Sequence, residues 1–142
     1  VHLLEAAFVI FRLPPLARNM RNELTKMRKI YFYDTGIRNA LIHNYNALSL
    51  RQDTGALWEN FCISERLKTN HNHGRDVNAY FWRTKEGKEI DYVEEAQGAF
   101  EGFELKFSDT KYIPPAGFLQ AYPKSTIRLI HKDTIDTFVN FE

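Results

Sequence analysis

The sequence predicts a mixed α/β fold in which one sheet carries helices on its faces. Three observations predict it. From Asp53 onward the apolar segments read helix, strand, strand, strand, helix, strand. The three consecutive strands are joined by connections of hairpin length, which makes them antiparallel neighbours. The last strand is reached over a helix, so it should lie parallel to one of them by a right-handed crossover. A chain of 142 residues, 44% of them hydrophobic, is long enough to bury a core around such a sheet. With 26% charged residues the composition is ordinary, which argues against disorder.

Each element has a local reason. Val1 to Phe8 reads as the second half of an amphipathic helix, with Leu4 and Phe8 one turn apart. Phe8–Leu13 is a strand stopped by Pro14-Pro15, and Ile30–Tyr33 is a second strand after a basic connector. Asp34 before Thr35-Gly36 makes a turn or caps a short helix reaching about Ile42. A polar connector over 43–52 suggests a division into residues 1–45 and 46–142. Asp53-Thr54 caps a helix to about Thr69, apolar around most of its circumference, and His71–Asp76 reads as a loop. Strands follow at Ala79–Thr84, Glu89–Glu95 and Ala99–Phe107. Pro114-Pro115 opens a helix ending near Tyr122, Thr126–Ile130 is the fourth strand, and Thr134–Phe141 is a terminal helix.

Charge and cysteine usage narrow the function classes. The net charge is +1, but six Lys/Arg fall between Arg12 and Lys29 against Glu23 alone. Arg18, Arg21, Arg28 and Lys29 in that stretch are candidates for tracking the phosphates of DNA. Cys62, the single cysteine, permits no internal disulfide, points to a reducing cytoplasm, and reads as a small buried hydrophobe. No apolar run approaches a membrane span. No GxxxxGK[ST] loop is present, and the chain opens mid-helix without Met. Any ATP hydrolysis is therefore expected in a module upstream of this piece.

The chemistry concentrates on the hairpin Glu89–Ser108. In Phe103-Glu104-Leu105-Lys106-Phe107 the charged and apolar residues alternate, so Glu104 and Lys106 project together and away from the apolar set. Asp91, between Ile90 and Tyr92, is expected beside Glu104 across the hairpin. Two carboxylates that close repel, and a divalent cation satisfies both, with magnesium or manganese suited to hard oxygen ligands. A further acid from the preceding helix, Glu59 or Glu65, completes such a shell. Lys106 then orients a water or offsets charge on a scissile phosphate. His71 and His73 read as surface residues, and Trp58 and Trp82 as core.

Asp91, then Glu104-x-Lys106, on a hairpin after a helix bearing a Glu resembles the PD-(D/E)XK nuclease superfamily. More closely, "KIYFYDTGIRNALI", "GALWENF", "YFWRT" and "EIDYVEE" look like the C-terminal domain of unknown function attached to many bacterial and archaeal AAA-type ATPases. The resemblance implies a restriction-endonuclease-like α-β-β-β-α-β core preceded by a winged-helix tail. It selects Glu59 over Glu65 as the helical acid, so the implied catalytic set is Glu59, Asp91, Glu104 and Lys106, with the three acids on the metal. Ile90 stands where the superfamily has a nominal Pro. Gln120 and Tyr122 do not match the Gln-x-x-x-Tyr spacing of some nuclease branches. Two alternatives are left open: a catalytically inactive module that binds nucleic acid or a protein partner and regulates the ATPase, and a purely structural fragment whose acids are only surface charge.

Overall fold

The computed structural model describes residues 1–16 and 26–141. Arg18 and Arg21, two of the candidate phosphate contacts, lie outside them. Helix α1 (His2–Ala6) leads into β1 (Ile10–Leu13), which pairs antiparallel with β2 (Lys29–Phe32). Helix α2 (Thr35–Leu41) and a 3-10 turn (Leu48–Leu50) precede the long helix α3 (Thr54–Asn72). Strands β3 (Asn78–Arg83), β4 (Glu89–Ala96) and β5 (Ala99–Leu105) form the antiparallel meander. Helix α4 (Ala116–Ala121) crosses over to β6 (Thr126–Ile130), which runs parallel to β5, and α5 (Asp136–Val139) follows. The main sheet has the order β3-β4-β5-β6. Among the described residues no helix is long and apolar enough to cross a membrane.

The turn chemistry follows the sequence closely. Gln97 and Gly98 both take positive φ, 53° and 77°, which makes the two-residue β4–β5 turn that a right-twisted hairpin favours. Asp34 caps α2 by accepting from the Gly36 N–H at 2.6 Å. Asp53 stands at the N-cap position of α3, as expected, but its side chain makes no capping bond there. Its carboxylate is taken by Arg38 and Arg51, whose bonds at 2.8 Å tie α2 and the 3-10 turn to the start of α3. Helix α3 runs on to Asn72, so the expected loop begins later. Nor is it simply apolar: Asn60, Ser64, Arg66 and Asn70 are buried along with Trp58, Cys62 and Ile63.

The prolines that end β1 open a different pairing. Phe81 N–H donates to the Pro14 carbonyl and Leu16 N–H donates to the Phe81 carbonyl, so residues 14–16 cover the outer edge of β3. Neither bond needs the N–H that proline lacks. The first segment thus shares the core of the second. Phe11, Leu13 and Tyr31 pack with Trp58, Cys62 and Ile63 of α3, Phe81, Tyr92 and Phe103 of the sheet, and Phe138 of α5. On the other face Trp82, Ile90 and Val93 pack under Phe118 and Tyr122, with Leu16 at the margin.

That assignment exposes an irregularity. Ile90 and Val93 lie on the same face although three positions apart, which an unbroken strand forbids. Between the pairs Tyr80↔Val93 and Trp82↔Ile90, both Asp91 and Tyr92 stand opposite Phe81 alone, a β-bulge. The bulge turns Asp91 toward the α3 side, where its charge reaches Lys29, Tyr31 and Cys62.

Candidate functional site

The bulge sits where β4 and β5 cease to pair. The ladder runs from Ala96↔Ala99 to Tyr92↔Phe103, so Asp91 and Glu104 are next in line across the hairpin. Asp91 Oδ2 accepts from the Leu105 N–H at 2.9 Å, a bond that fixes the carboxyl against the end of β5. Asp91 and Glu104 are both buried, at 7% and 8% exposure. Lys106 Nζ pairs with Glu104 Oε1 at 2.8 Å, whereas Glu104 Oε2 is buried with no partner among the described residues.

The electrostatics follow from this crowding. Burial first, then the charges of Glu59 and Glu104, push the Asp91 carboxyl up to about 7 against the pull of the Leu105 N–H and Lys29. Partial burial acts to lower the Lys106 ammonium, but Glu104 outweighs it, with Asp91 and Glu59 adding, and the pKa stays above the ordinary lysine value. Burial likewise pushes the Cys62 thiol up, with Asp91 adding to it, so this cysteine is an inert core residue.

Glu59 is placed close enough to act on Asp91 but is otherwise engaged. Its Oε1 accepts from the Tyr31 hydroxyl and, at 3.1 Å, from Lys29 Nζ, which also bonds Glu89. Next to it the Asn60 amide clamps the edge of β2, accepting from Phe32 N–H at 2.9 Å and donating to its carbonyl at 2.7 Å. Glu59 and Asn60 therefore work as a pair that docks the β1–β2 hairpin onto α3, and Glu59 lines a cavity of about 390 Å³ shared with Lys29, Tyr31 and Arg38. Lys29, expected at a phosphate-tracking surface, is committed between two acids. For Lys29, burial alone lowers the pKa, but Glu59 and Glu89 hold it above the ordinary value. Arg28 stands at the exposed end of the same connector, donating to the Met27 carbonyl at 2.8 Å.

Asp91 and Glu104 are the residues that could hold a hard divalent cation. Both offer carboxylate oxygens, one of which is a buried atom with nothing to bond, and magnesium is commonly held by one or two carboxylates with water filling the rest. The expected three-acid shell is not assembled: among the described residues no three His, Cys, Asp or Glu side chains group closely enough to hold a metal ion.

Two residues near the site escaped the sequence reading. Tyr31 is buried, and burial and Glu59 push its phenol well above the ordinary value. Tyr112, on the connector between β5 and α4, has a buried hydroxyl with no partner among the described residues, and its phenol is raised by burial, Glu104 and Asp91. Neither lies in a recognisable spacing. Only the fold brings them to the carboxylates.

A profile of the family described as "Domain of unknown function (DUF4143)" matches residues 54–135, over half of the chain. The chain belongs to this family. The DUF4143 match spans α3 through β6 and so holds Glu59, Asp91, Glu104 and Lys106. A second profile, "Domain of unknown function (DUF8612)", matches residues 1–52, which contain the β1–β2 hairpin. The chain is 31% identical over 112 residues to the uncharacterized proteins Rv2008c of Mycobacterium tuberculosis and Mb2031c of Mycobacterium bovis. Those alignments cover 75% of this chain and 24% of each relative, so the chain spans about a quarter of their length. No solved structure matches it.

Proposed function

We propose that this DUF4143 chain is the nuclease-like module of a larger AAA-type ATPase, suited to metal-assisted hydrolysis of phosphodiester bonds in DNA. The observation that carries this reading is that Asp91, held by the Leu105 N–H, and Glu104 stand next in line at the bulged end of the hairpin, with Lys106 on one oxygen of Glu104 and the other oxygen buried with no hydrogen-bond partner among the described residues. The resemblance to PD-(D/E)XK nucleases supports the same assignment. Similarity of "YFYDTG" and "GALWENF" to ATPase-attached domains, and relatives several times longer than the chain, support an ATPase module elsewhere in the protein.

Asp91 and Glu104 would hold magnesium or manganese, which would supply Lewis acidity and a water of lowered pKa. The chain's own residues do the rest. The Leu105 N–H fixes the Asp91 carboxyl, and the raised Asp91 pKa leaves that group partly protonated until positive charge arrives. Lys106 remains charged beside Glu104, where it can orient a water or offset charge growing on a phosphate oxygen. Burial of both acids strengthens each of these interactions.

A second reading is favoured by Glu59. Its capture by Tyr31 and Lys29, and the absence of a three-acid group among the described residues, suit a regulatory module that binds nucleic acid or protein without turnover. The two separate by experiment. Magnesium or manganese raises the melting temperature of the wild type, by about 2.7 kcal/mol of stability at a hundredfold excess over Kd, and the gain disappears in Asp91→Asn and Glu104→Gln. Slow nicking of plasmid or single-stranded DNA, lost in Lys106→Ala, establishes the first reading. Intact DNA together with salt-sensitive DNA binding establishes the second. A wild type indifferent to metal and DNA rejects both.

A further inference from the structure

Strand β2 pairs with β1 along one edge, and Asn60 shows what the other edge takes. The Asn60 carboxamide accepts from the Phe32 N–H at 2.9 Å and donates to the Phe32 carbonyl at 2.7 Å. Those are the two bonds that a peptide unit of a third strand would make. Backbone bonding alternates along an antiparallel strand, so the N–H and C=O of Ile30 point to the same edge as those of Phe32. On α3 the residue one turn before Asn60, on the same face, is Ala56. Its methyl carries no hydrogen-bonding atom and cannot repeat the clamp. There the cavity of about 390 Å³ opens, with Ile30, Ala56 and Asn60 in its wall. Both Ile30, at 49%, and Ala56 are exposed.

The cations around this cavity are already matched. Arg38 is held by Asp53 at 2.8 Å, and Lys29 by Glu59 and Glu89. A nucleic-acid phosphate therefore finds little uncompensated positive charge here, whereas a main-chain amide finds an edge of its own kind. We propose that the Ile30 edge of β2 is a docking site for an extended peptide segment of a protein partner, which adds as a short third strand beside Ile30 and ends against Asn60. In strand addition of this kind the main-chain hydrogen bonds supply the affinity. The site is separate from the Asp91–Glu104 pocket and holds whichever reading of that pocket stands.

The test follows the backbone amides of the whole chain by NMR while acetyl-Thr-Val-Thr-amide, an uncharged peptide with strand-forming side chains, is added. A concentration of about 10 mM suits a contact of about two main-chain bonds. The control is the same peptide with every backbone nitrogen methylated, which has no main-chain donor. The first peptide is expected to shift the Ile30 amide resonance and slow its hydrogen exchange about threefold, and the methylated one to do neither. Ala56→Asn repeats the Asn60 clamp one turn earlier, so its Ile30 amide should exchange slowly from the start and ignore the peptide. An Ile30 amide that ignores the peptide in the wild type, or answers the methylated peptide equally, overturns the proposal. So does a folded Ala56→Asn variant that responds as wild type does. A shift with a DNA oligonucleotide and none with peptide assigns the cavity to nucleic acid instead. The peptide comparison needs the wild type alone, so it decides the matter even where the variant fails to fold.

Discussion

Asp91 occupies a position that folding alone does not favour. Burial and its two neighbouring acids hold the carboxyl near 7, against 3.8 for the unperturbed group. The folded state therefore keeps a proton that the unfolded chain has lost between those values. Stability falls as pH rises from about 4 to about 7, and the penalty is complete above that. A shift of this size corresponds to a penalty on the order of 4 kcal/mol. Asp91→Asn retains an oxygen to accept from the Leu105 N–H but carries no charge. Urea denaturation should find it more stable than wild type at pH 8, nearly equal at pH 4, and flatter between. A variant less stable than wild type at both values refutes the burial argument. The cost becomes intelligible if Asp91 is kept for chemistry, since strain of this kind gathers at functional sites.

Among the elements, α3 and β4 are joined by a buried ion pair. Arg66 and Glu94, 2% and 3% exposed, form paired bonds of 2.7 Å, with Asn70, the Tyr92 hydroxyl and the Phe138 carbonyl completing the network. Burial alone raises the Glu94 carboxyl, but Arg66, Asn70 and Arg75 hold it below its ordinary value. The Arg66 guanidinium carbon also lies 4.5 Å from the Phe141 ring centroid and 4.8 Å from that of Phe138. Removing one partner leaves a buried charge alone, so Arg66→Ala or Glu94→Ala should lose about 3–5 kcal/mol in chemical denaturation. A smaller change in both would show that water reaches the pair. The β4–β5 turn offers the opposite lever. Gln97 is held at φ 53°, a region where Asn is at home, so Gln97→Asn should gain about 0.5–1 kcal/mol by the same measurement.

At the scale of the whole molecule the β1–β2 hairpin belongs to the same core as the DUF4143 region. Phe11, Leu13 and Tyr31 are buried against α3 and the sheet, and residues 14–16 close the edge of β3. Each such side chain contributes about 1.5–3 kcal/mol on burial, set against a total stability of about 5–15 kcal/mol for a domain. A fragment beginning at Asp53 should therefore lose its cooperative thermal transition. A sharp transition retained by that fragment would show the hairpin to be an appendage. The meander, the crossover to β6, the Asp34 cap and the Gln97-Gly98 turn were legible in the chain because each follows from local spacing and backbone preference. The placement of Asp91 next in line to Glu104 across the hairpin, and of Lys106 beside Glu104, followed from strand period and hairpin length. The bulge at Asp91-Tyr92, the capture of Glu59 by Tyr31 and Lys29, the Arg66–Glu94 pair and the approach of Tyr112 were decided only by the tertiary structure. They depend on contacts between residues far apart in sequence, where no local pattern records which partner a charge or a hydroxyl will meet.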